Sequence, residues 1–280
     1  MFVPDSLHPD NSEVSAAIAA AARDQSGTCW WCGRPADSRE HKYKKTDLKR
    51  MAQGDDLLWG GDSSELRTVR SHRKSKEVLF GLVLCKRCND TRSQPFDRAY
   101  EIYAAYVSQN LNRLWRAGGI RFDRVYGEDW SNQTKNLARY FAKHFGCLIA
   151  DSGFPPPDTL RNFLSGADDC PDVSMCLVKE EGLWLLHREL RRDSDTDGGL
   201  WISPGQGWMT ENRLSGYKVR TSIGYVGVLF EWQENWGTQD SFFKHPHPVL
   251  NRRKAPKELR RSFQRTVRGS RGSASEGGLE

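Results

Sequence analysis

The sequence predicts an α+β protein with a metal-stapled N-terminal part and a β-rich C-terminal part, on three observations. Two C-x-x-C pairs, Cys29/Cys32 and Cys85/Cys88, bracket residues 33–84. Two later stretches, starting near Pro95 and Ser131, repeat apolar side chains at three- and four-residue steps. Beyond residue 170, short runs rich in Val, Leu, Trp and Tyr alternate with Gly and acidic breaks.

Taken in order, residues 1–26 predict an N-terminal helix, because Ser12 suits an N-cap and strong helix formers follow it. Residues 27–118 hold the cysteine pairs, basic clusters at 41–50 and 67–76, an apolar run at 78–84 that reads as a buried strand, and a following helix. In that helix Pro95 suits the first turn, as does Asp97, and Phe96, Tyr100, Tyr103, Val107, Leu111 and Leu114 mark one face. A helical connection spans 119–168, with Leu137, Tyr140, Phe141, Phe145 and Leu148 on one side. Residues 169–250 read as a C-terminal antiparallel β-rich domain with strands at 173–179, 183–190, 199–209 and 217–232. The segment 251–280 is a basic, partly disordered tail.

Seven cysteines and an N-terminus without a signal-peptide layout argue against a disulfide framework. Thiolates of two matched C-x-x-C pairs can instead close a tetrahedral Zn²⁺ site at Cys29, Cys32, Cys85 and Cys88. Four sulfurs leave no open position, so this zinc is expected to be structural. With no run of eighteen apolar residues, a soluble cytoplasmic protein without membrane contact is expected. Charge is uneven: residues 1–119 hold 19 basic against 15 acidic side chains, 120–250 hold 14 against 18, and 251–280 hold 9 against 3. Basic ends suit a polyanionic partner, and an ordinary solvated surface is the competing reading.

Inside the bracket lies Ser38-Arg39-Glu40-His41, and Asn89 directly follows Cys88. An acidic residue followed by His, then a second C-x-x-C followed by His or Asn, resembles the HNH, or ββα-metal, endonuclease family, in the branch stapled by two zinc knuckles. The string CKRCNDTRSQPFDRAY from Cys85 is also similar to bacterial proteins of HNH type. The similarity covers roughly residues 27–100. It implies a zinc-stapled ββα-metal nuclease domain that hydrolyses DNA phosphodiesters, in a mobile element or in phage defence. Two departures stand out. The family's central Asn is missing from KSKEVLFGLVLC, leaving Ser75, Lys76, His72 or a backbone carbonyl as candidates for its role. Pro95 requires the helix after Asn89 to be short or to break.

The chemistry asked of such a site is a deprotonated water beside a phosphate whose charge is offset. A neutral histidine titrates near cellular pH, which suits His41 as general base. Glu40 and Asn89 offer hard oxygens to Mg²⁺ or another divalent cation. Arg39, Lys42, Lys44, Lys45, Arg73, Lys74, Arg87 and Arg92 flank the motif and suit backbone contact with nucleic acid, expected to be double-stranded DNA. The alternative is a noncatalytic zinc-stabilised nucleic-acid-binding module; a zinc ribbon with no role for His41 is a third. Asn89 could equally cap a helix, Asp97 could be a third acid or a first-turn charge, and His144 is expected to pack. The pair His245 and His247 could bind metal or lie in a loop, and Trp30 and Trp31 could stack on a base or wall off the zinc, with packing the favoured reading.

Overall fold

The computed structural model describes residues 21–52, 57–60, 66–69, 77–193, 199–258 and 260–261. The expected helix over 1–26 falls almost wholly outside these, as do Arg73, Lys74, the candidates His72, Ser75 and Lys76, and the tail beyond 261. Among the described residues no helix is long and apolar enough to cross a membrane.

The helical periodicities appear where the spacing puts them. Helix α1 (Lys45–Ala52) precedes a two-stranded antiparallel ribbon, β1 (Leu57–Gly60) and β2 (Leu66–Val69). After the second cysteine pair the chain makes a π-helical turn at Arg87–Arg92 and restarts as α2 (Gln94–Arg116). Ser93 is the joint, and Pro95 sits in the first turn of α2, where a missing N–H costs nothing. Helix α2 buries Phe96, Tyr100, Tyr103, Val107, Leu111 and Leu114. Short α3 (Phe122–Tyr126) leads to α4 (Trp130–Asp151), which is buried nearly all round, and α5 (Asp158–Leu164) follows.

The C-terminal strands are β3 (Val173–Glu180), β4 (Leu200–Ile202), β5 (Gln206–Thr210), β6 (Arg213–Ile223), β7 (Val226–Gln233) and β8 (Asn251–Arg253). They order as β4-β6-β7-β3-β8, with β5 also on β6. All pairings are antiparallel except β3 with β8, which is parallel. Gly224 makes the turn between β6 and β7 at φ +58°, a conformation that costs glycine little.

Two expected strands differ. Residues 183–190 fall within α6 (Glu181–Asp193), because the Leu, Glu and Arg content of EGLWLLHRELRRD favours helix over strand. The run 78–84 is buried and extended but not a continuous strand. It meets the segment around His41 through isolated bridges, Ser38 with Leu84 and His41 with Leu79. Between them the chain bends at Leu82, with Val83 N–H donating to the Gly81 carbonyl, and the Gly81 N–H donates to Asp151 at 2.9 Å.

One apolar cluster runs from Cys29 to Leu250, joining the cysteine segment, the helices and the sheet. Helix α4 is its axis. Phe145 lies 4.2 Å, ring to ring, from Phe230 of β7, Tyr140 stacks on Tyr100 of α2 at 3.9 Å, and Trp30 covers Gly146. A Cβ at Gly146 would run into the Trp30 indole. In an exposed helix Gly→Ala stabilises by up to about 1 kcal/mol. Here the sign is expected to invert, with Gly146→Ala losing about 1–3 kcal/mol through overpacking, as read by denaturant unfolding.

Candidate metal centre and polar network

The first cysteine pair is shaped by a tight turn. Gly33 donates to the Cys29 carbonyl at 2.8 Å and takes φ +74°, so that Cys29 N–H can reach the Arg34 carbonyl at 2.7 Å. Trp30 N–H donates to the Val83 carbonyl at 3.0 Å, carrying this turn to the second pair. The four Sγ atoms of Cys29, Cys32, Cys85 and Cys88 all lie within 4.8 Å of one another. A tetrahedral zinc with bonds near 2.3 Å sets its sulfurs about 3.8 Å apart, so the four cysteines could hold such an ion. Burial pushes the Cys29 and Cys88 thiols up. At Cys32 burial is outweighed by hydrogen bonds from Arg34, and the thiol sits at about 6. Arg34 and Arg92 also donate to Cys85 and Cys88 at 3.8 and 3.6 Å, offsetting thiolate charge.

The two tryptophans between the first cysteines are packed, each about 4 % exposed. Trp30 donates to Cys147 Sγ at 3.5 Å, and Arg161 donates to the Trp30 carbonyl at 2.7 Å. Trp31 lies under the Arg92 guanidinium at 4.1 Å and donates to Ser165 Oγ.

Next to this cluster runs the segment carrying the predicted catalytic residues. Lys42 N–H donates to the Val78 carbonyl, and Phe80 N–H to the Glu40 carbonyl at 2.9 Å, so Glu40 and His41 are held against the apolar run. Asn89, in the π-helical turn, is 8 % exposed. Its Nδ2 donates to Ser38 Oγ at 3.0 Å, tying the turn to the bridged segment, while its buried Oδ1 has no hydrogen-bond partner among the described residues. Asn89 therefore lies inside its helical turn rather than capping α2, a position taken by Ser93.

Glu40 Oε1 lies 3.2 Å from Nζ of Lys143, whose side chain is only 1 % exposed. That ammonium also reaches Ser93 Oγ at 3.2 Å and Asp97 Oδ1 at 3.6 Å. Ser93 Oγ faces the Asn89 carbonyl and Asp97 Oδ2, closing a network from Ser38 through Asn89 and Ser93 to Glu40. Burial opposes the Lys143 charge, but Glu40 and Asp97 outweigh it and hold its pKa above the ordinary lysine value. Lys143 was not singled out from the sequence. Its one signal is a lysine spaced three and four residues from Tyr140 and Cys147, in a stripe that is otherwise apolar.

His41 is half-buried on the bridged segment. Among the described residues, the four cysteines are the one group where three or more His, Cys, Asp or Glu ligand atoms converge.

The proposed backbone-contacting cations divide into two sets. Arg39, Lys45 and Arg87 are exposed. Lys42 pairs with Asp151 at 3.2 Å, Lys44 with Asp97 at 2.8 Å, and Arg92 is engaged with Trp31 and Cys88. His245 and His247 meet separate acids, Asp240 at 2.6 Å and Asp123 at 3.5 Å. His144 is packed edge-on to Phe80, and neither ring nitrogen has a hydrogen-bond partner among the described residues. Neither a family model, nor a curated protein, nor a solved structure matches the chain.

Two outcomes are expected. Purified protein should carry about one zinc per chain, lost with Cys88→Ser and on acidification, because protons compete for each thiolate; elemental analysis reads both. Burial, then the nearby Lys143 and Lys42 charges, push the His144 pKa down to about 3. The unfolded histidine binds a proton near its ordinary value of 6.5, so stability should fall as pH drops from 6.5 towards 3. The slope is about 1.4 kcal/mol per pH unit. His144→Leu should flatten that part of a pH-dependent unfolding series.

Proposed function

We propose that the chain is a metal-dependent endonuclease hydrolysing DNA phosphodiester bonds, with His41 as general base and Glu40 and Asn89 as ligands of a Mg²⁺-type cation. The observation that carries this reading is Asn89: its amide nitrogen is fixed to Ser38, and its oxygen is buried without a donor among the described residues. Such an orphan acceptor is costly unless something cationic or protic uses it. The four-cysteine cluster supports the reading by holding the Glu40–His41 segment and the Asn89 turn together where neither could bury a core alone.

In this mechanism the ion, when bound, offsets charge on the scissile phosphate and on the departing oxygen. His41 accepts the proton of the attacking water, and the segment bridged to Leu79 holds its backbone in place. The Ser38 bond keeps the Asn89 amide from rotating its nitrogen towards the cation. Arg39, Lys45 and Arg87 are exposed for contact with the strand backbone, which would position the duplex without reading bases.

One observation favours a noncatalytic zinc-stabilised nucleic-acid-binding module instead: the Glu40 carboxylate already has a buried counter-ion in Lys143. Plasmid nicking decides between the two. With Mg²⁺ the wild-type protein should nick supercoiled plasmid, and His41→Ala should lose about 10²-fold or more of the rate while still retarding duplex DNA. Retardation by both proteins with nicking by neither establishes the binding module.

A further inference from the structure

The network around Glu40 carries its own charge balance. Two carboxylates, Glu40 and Asp97, face the Lys143 ammonium between them, and Lys44 adds a 2.8 Å contact to Asp97 and a longer one, 3.9 Å, to the more exposed Glu101. Lys143 is the most deeply buried lysine among the described residues, and Ser93 Oγ fixes its third direction. A divalent cation added beside Glu40 would bring two charges into a site whose acids are already neutralised, a few ångströms from a fixed ammonium. Such charges repel, the more so away from water. A phosphodiester arriving with the ion supplies the missing negative charge.

Resting on the nuclease reading, we propose that Lys143 is a positioning residue that neutralises Glu40 and Asp97 in the free protein, so that the divalent cation binds well only together with nucleic acid. Cation and DNA are then reciprocally coupled ligands of one site. Nucleic-acid-free protein holds little catalytic metal, and the site assembles on the substrate.

The test is equilibrium binding of Mn²⁺, followed by its electron paramagnetic resonance signal, to the full zinc-loaded chain. His41→Ala serves as background so that DNA is not cut, with and without a short duplex. The expected result is weak Mn²⁺ binding alone and about tenfold tighter binding with duplex. Adding Lys143→Gln should tighten DNA-free binding about tenfold and shrink the effect of DNA. Adding Glu40→Gln should remove the gain in both states, separating this site from Mn²⁺ held by DNA alone. Unchanged DNA-free affinity in a folded Lys143→Gln protein overturns the inference. So does a DNA-independent affinity in the protein that retains Lys143, and that comparison decides the matter if Lys143→Gln does not fold. If Glu40→Gln weakens Mn²⁺ binding while Lys143 and DNA have no effect, the inference alone fails. If Glu40→Gln changes nothing in any state, the nuclease reading fails with it.

Discussion

A lysine ammonium buried at the centre of a protein dictates what must surround it. Removing that charge from water costs several kcal/mol unless oxygens replace the solvent, and Lys143 is surrounded by Glu40, Asp97 and Ser93. Those three groups come from separate pieces of chain, the bridged segment, the first turn of α2 and the joint before it. Helix α4 therefore cannot shift without breaking contacts to both halves of the motif region. The surrounding aromatic packing, Tyr140 on Tyr100 and Phe145 on Phe230, ties the same helix to α2 and the sheet.

The four-cysteine cluster works on the same region from the other side. It spans the turn at Cys29–Cys32 and the start of the π-helical turn at Arg87–Arg92, segments separated by more than fifty residues. Between cluster and α4 lies Trp30, pressed on Gly146 and hydrogen-bonded to Cys147. Sulfur clamp, indole and buried ammonium thus follow one another, with Glu40 paired to the ammonium and Asn89 tied to Ser38.

Charge arranges the surroundings in a compatible way. The cations nearest the network, Lys42 and Lys44, are absorbed by Asp151 and Asp97, whereas Arg39, Lys45 and Arg87 face solvent. The inner set is taken up by these pairs, and the outer set is exposed. The sheet, by contrast, pairs its charges locally, as with Arg213 and Glu234 or Lys218 and Glu231.

Local pattern was enough for some of this. The paired C-x-x-C spacing determined the four-sulfur cluster, because two intervening residues turn both thiols to one point whatever lies between the pairs. Three- and four-residue apolar spacing determined α2 and α4, since that period belongs to a helix in any context. Where composition was ambiguous, the tertiary structure decided: 183–190 became α6 although its Leu and Trp also suit a strand, and 78–84 bent at Leu82, with the Gly81 N–H meeting Asp151. It alone decided the parallel pairing of β3 with β8, the packing of Trp30 on Gly146, and the meeting of Lys143 with Glu40 across about a hundred residues. Such contacts depend on which surfaces face one another once the core closes, and no short window of sequence contains both partners.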